Sequence, residues 1–177
     1  MARTPHHQDT ECPAAAYLRR QPENLVVNGY RNCVASLAHR DSRYWDAARS
    51  AHWQALGAAD GAYALELMTS LIGRLGVCAT CPLRFCRPGT GHLCRDECLV
   101  LGMVAGAQNG DEVTMVQSAR LLSCSETCFD IIDRASTYAG VLLGHGQRLT
   151  PIPLDAIADI ELRSAAYAGG PASGSVH

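Results

Sequence analysis

Lysine is absent, and all fifteen basic residues are arginine, a bias that reads as the mark of a GC-rich bacterial genome. Seventeen acidic residues leave a net charge of −2. A chain without a basic excess has no general means of displacing counterions from phosphates, so nothing supports a nucleic-acid partner. Long apolar runs are missing too: none approaches the ~18 residues of a membrane span. The opening MARTPHHQDTEC carries Arg3 but no apolar stretch behind it, so no secretory leader is expected and the reading is cytoplasmic. Also lacking are a GxxxxGK[ST] phosphate loop, a dinucleotide fingerprint, HExxH and GxSxG. Nothing in the sequence points to an enzyme.

Enough remains for one ordinary domain. The chain has 177 residues, 47% of them hydrophobic and 18% charged, and a domain of ~150 residues buries ~70% of its unfolded surface. Residues 1–23 are polar and read as a flexible leader, with a helical turn near Ala14 to Arg19. From Asn24, Leu25, Val26, Tyr30, Cys33, Val34 and Leu37 recur at helical steps and predict a first core helix to His39. Asp41 and Ser42 can each cap an orphan backbone N–H and open a second helix carrying Trp45, Ala48, His52 and Leu56, which Gly57 ends. Asp60 is read as the cap of a third, with Leu65, Met68, Leu71, Ile72 and Leu75 as its stripe and Gly76 as its end.

The segment 77–92, VCATCPLRFCRPGTGH, holds two prolines and two glycines and predicts a loop. A fourth helix is expected from Leu93 to about Gln108, a turn at Asn109-Gly110, and a fifth and longest helix from Asp111 towards Leu143. After Pro151 and Pro153, LDAIADIELRSAAYA predicts a short final helix. The expected fold class is all-α, a single-domain bundle or array of five to six helices over 24–167, with a disordered tail at 168–177.

Seven of the nine cysteines fall within 51 residues: Cys78, Cys81, Cys86, Cys94, Cys98, Cys124 and Cys128. Reducing compartments keep such thiols out of permanent disulfides, and the odd total agrees. A CxxC pair in a turn lets two thiolates converge on a tetrahedral ion, and the four-residue spacing of each CxxxC pair puts both sulfurs on one helical face. Across a hairpin at Asn109-Gly110 the two CxxxC pairs differ in height by about 4.5 Å and can face one another. Cys12 and Cys33 are expected to have no chemical role.

Zinc is the favoured ion, with Cys78, Cys81, Cys86 and either Cys94 or His92 as four ligands; Cys98, Cys124 and Cys128 would support that site or form a second. An iron-sulfur cluster also takes four thiolates, though the ferredoxin spacings are absent. Copper(I) suits the CxxxC pairs. Asp96 and Glu97 are read as helix-start carboxylates favoured by the dipole. Two other readings compete. In a redox switch, Arg84, Arg87 and Arg95 would lower the pKa of neighbouring thiols; in a plain helical interaction module, the cysteines would be structural.

The stretch 119–136, ARLLSCSETCFDIIDRAS, resembles one helix of the cysteine-rich bundles related to copper-storage proteins. That resemblance implies copper(I) ligation by Cys124 and Cys128, in a chain with far fewer cysteines on its other helices. The expected function is a small metal-binding accessory or adaptor protein whose partner is another protein, its loop at 77–92 tied down by thiolate coordination.

Overall fold

A computed structural model describes residues 13–78, 82–123 and 129–168. The fold is all-α. After a 3-10 helix at Pro13–Arg19 come α1 (Gln21–His39), α2 (Ser42–Leu56), α3 (Ala58–Cys78), α4 (Arg95–Asn109), α5 (Glu112–Ser123), α6 (Phe129–Gly144) and α7 (Leu154–Ala168). No helix among the described residues is long and apolar enough to cross a membrane.

Local chemistry sets most of the boundaries. Pro22, whose missing N–H costs nothing in a first turn, helps open α1. Asp41 accepts the Arg43 N–H at 3.0 Å and starts α2. Gly57 leaves the helical region at φ 82° and closes α2. Asp111 accepts the Thr114 N–H at 3.0 Å to start α5. Three expectations need small corrections. α1 opens at Gln21, with Glu23 already buried. α3 opens at Ala58, which puts Asp60 inside its first turn, where it meets His145 at 2.8 Å. Gly76 does not end α3, which continues through Val77 to Cys78.

The larger correction concerns the long fifth helix. Met115 and Ser136 would stand about 31 Å apart on one helix, yet Ser136 Oγ lies 3.5 Å from Met115 Sδ. Arg95 at the start of α4 donates to Leu121 O at 2.9 Å, and Gln108 near its end donates to Ala139 O at 3.2 Å. So α5 runs antiparallel to α4, and α6 returns alongside it. There are seven α-helices among the described residues rather than five or six.

α6 also runs antiparallel to α3 along its whole length: Arg74 meets Asp130 at 2.7 Å, Arg134 donates to Ser70, and His145 meets Asp60. α4 lies at the centre. Its residues Leu99 to Gly106 are all buried, as expected of a helix apolar on every side. α7 packs over it, with Ile157 fully buried against Gly102. The end of α3, the start of α4, the end of α5 and the start of α6 thus meet at one end of the bundle. At that end Cys78 closes α3 and Cys94 caps α4.

Candidate functional site

Residues 82–94 form no helix, so their backbone groups must find partners elsewhere. Side chains of α1 and α4 supply them. The Tyr30 hydroxyl donates to Arg84 O at 3.0 Å, and Arg84 N–H donates to Asp96 Oδ2 at 2.8 Å. Cys86 N–H donates to Glu97 Oε1 at 2.7 Å, and Cys94 N–H to Glu97 Oε2 at 2.9 Å. Arg31 donates to Thr90 O at 2.8 Å and to His92 O. It also grips Glu97 with two bonds, Nε to Oε1 at 2.8 Å and Nη2 to Oε2 at 2.9 Å.

Both charged side chains are buried, with exposures of 1% and 0%. Burial alone would raise the Glu97 carboxyl; the Arg31 bonds and the two cysteine N–H groups outweigh it and hold the carboxyl below its ordinary range. Burial likewise works against the Arg31 charge, and Glu97 more than restores it.

This arrangement brings two of the candidate sulfurs together. Cys86 Sγ, Cys94 Sγ and a Glu97 carboxylate oxygen all lie within 4.8 Å of one another. Both thiols are half-buried and free. Cys94 opens α4: its sulfur receives the Glu97 N–H while its own N–H goes to the Glu97 side chain, a reciprocal cap. Its thiol also faces Arg84 O at 3.5 Å.

Burial, with help from the Glu97 charge, pushes the Cys94 thiol up to about 12 against the pull of the neighbouring N–H groups. Burial and then the Glu97 charge raise Cys86 as well. That reverses the effect expected from neighbouring arginines. Arg84 and Arg87 are exposed, Arg95 is engaged with Asp96 at 3.0 Å and with Leu121 O, and the Arg31 charge, which draws the Cys86 thiol down, is outweighed there by burial and the Glu97 charge. No family model, curated protein or solved structure matches the chain.

The other sequence candidates divide clearly. His92 gives its backbone carbonyl to Arg31 while its side chain is exposed, and it is not part of the sulfur cluster. Cys98 sits one turn beyond Cys94 on α4, half-buried against the core and likewise outside the cluster. Cys78 ends α3, and its side chain is not among those described. Cys81, Cys124 and Cys128 lie outside the described residues, as do Cys12 and all of the expected 168–177 tail but Ala168, which ends α7. Cys33 is buried in the core, and burial pushes its thiol up to about 11, the profile of a packing residue.

The residues missed by sequence reasoning are Arg31, Tyr30 in its hydroxyl role, and Glu97 as more than a cap. A signal for Glu97 was present, since Cys94-x-x-Glu97 has the spacing of a capping box with sulfur in place of the hydroxyl. Arg31 carried none.

Proposed function

We propose that this chain is a small metal-binding accessory protein in which Cys86 and Cys94 supply two thiolates to a thiophilic ion. The observation that carries the reading is their convergence, on a loop and a helix start, in a half-buried position beside a fixed carboxylate. Glu97 orients this site rather than completing it, because both of its oxygens already accept from Arg31 and from a cysteine N–H. Further sulfurs are the donors that a thiophilic ion prefers. Cys98 is one helical turn away, and Cys78, Cys81, Cys124 and Cys128 are the remaining candidates on sequence grounds. Zinc requires four donors, whereas copper(I) is satisfied by fewer soft ones. The number of sulfurs recruited therefore decides which ion is held. The expected partner is another protein that delivers or receives the ion, in a reducing compartment such as the cytoplasm.

Elemental analysis of protein purified without oxygen tests the reading. Stoichiometric zinc or copper in the wild type, lost in Cys86→Ser and in Cys94→Ser, supports it. A wild type that takes up no ion from zinc(II) or copper(I) solutions refutes it.

A further inference from the structure

Resting on that metal-binding reading, we infer that Arg31 and Glu97 hold the thiol loop in its ligand-ready arrangement before an ion arrives, so that the ion is exchangeable cargo rather than part of the fold.

The loop's fixed points are Arg84, Cys86, Thr90, His92 and Cys94, and each is held through its backbone by Tyr30, Arg31, Asp96 or Glu97. None of these bonds uses a sulfur atom; the Cys94 sulfur adds its contacts with Arg84 O and the Glu97 N–H beside them. The two cysteines are tied to the same carboxylate, one to each oxygen. A single side chain thereby sets the separation of the two backbones that carry the ligands. Arg31 locks that carboxylate in plane with two bonds and, with its remaining N–H groups, reaches Thr90 and His92 between the cysteines. Leu93, 5% exposed, adds an apolar anchor beside Cys94.

Structural zinc modules work in the opposite way: their loops are ordered by the metal and unfold without it. A loop ordered by its own protein loses little further freedom when an ion binds, and regains little when it leaves. Arg31 and Glu97 are thus positioning residues, acting on the ion through the backbones of Cys86 and Cys94.

Hydrogen exchange on the reduced, chelator-treated full chain tests this directly. The Cys86 and Cys94 amides are expected to exchange about 100-fold or more slowly than in a free peptide, with little further change on adding zinc(II) or copper(I). Free-peptide exchange without metal, with protection appearing only on ion binding, overturns the inference while leaving the metal reading intact. Protected amides in a protein that binds neither ion overturn the metal reading, and the cargo role with it. Arg31→Lys keeps the charge but loses the fork. It should speed exchange at those two amides and weaken ion binding at least about 10-fold, with helical content unchanged. Unaltered protection and affinity in that variant would also overturn the inference. Should Arg31→Lys fail to fold, the wild-type exchange decides.

Discussion

Among the buried polar groups of this apolar bundle, those around His52 and those around Arg31 and Glu97 serve opposite kinds of backbone. Around His52, regular helices cross. Its Nδ1 donates to Ala48 O at 2.9 Å, which leaves Nε2 to accept from the Tyr138 hydroxyl at 3.1 Å. His52 fully occupies the space beside Gly29, where an added Cβ would lie 2.8 Å from its ring. Here the helices satisfy their own backbones, so a neutral pair suffices. At the thiol end, irregular chain must be satisfied by side chains, and a fully charged pair does so. The helix crossing is joined by a weak polar link, whereas the thiol loop is tied to the bundle by a strong one.

The largest expected effect breaks the charged cluster. Arg31→Met leaves Glu97 buried without its partner and should cost about 3–5 kcal/mol, read by chemical denaturation. Adding Glu97→Leu should recover part of that loss and not all, because the bonds to Thr90, His92, Cys86 and Cys94 stay broken. At the helix crossing, Tyr138→Phe removes only the donor to His52 and should cost about 1–3 kcal/mol. A larger loss for Tyr138→Phe than for Arg31→Met would invert the comparison.

Acid should separate the two clusters in order. Burial lowers the His52 pKa from its ordinary 6.5. The unfolded chain therefore takes up a proton that the folded one resists, and stability falls as pH drops below about 6.5. His52→Gln should abolish that first decline. The Glu97 contribution is complete above the ordinary carboxyl value of 4.5 and is lost only as pH falls further, through its lowered folded value. Denaturation midpoints taken across pH would show two successive declines, the first missing in His52→Gln.

The smallest effect on stability belongs to the sulfurs. Cys86→Ser and Cys94→Ser should each change it by less than about 1 kcal/mol, because the loop's anchors are backbone bonds. A loss of several kcal/mol in metal-free protein would mean that the thiols themselves hold the loop.

Helical periodicity and capping residues made α1, α2 and α4 legible, and the Pro/Gly spacing marked the loop. The turn back between α5 and α6 was not legible. No proline or glycine falls between Asp111 and Tyr138, and the reversal shows only in tertiary pairings such as Arg74 with Asp130. Leu37 shows the limit of periodicity in another way: it fits the α1 stripe but is 62% exposed, while Arg31, off the stripe, is buried. A charge in that position becomes intelligible only once Glu97, 66 residues on, is beside it. Cys86 and Cys94 belonged to the predicted ligand set, but the spacing could not single them out from Cys98.

X-ray absorption at the edge of the bound metal, on wild-type and Cys94→Ser protein, weighs the ligand assignment most directly. The wild type should show at least two sulfur neighbours, near about 2.3 Å if the ion is zinc, and the variant one fewer or no bound ion. Identical spectra, or a shell of nitrogen and oxygen alone, would mean that Cys86 and Cys94 are not where the ion binds.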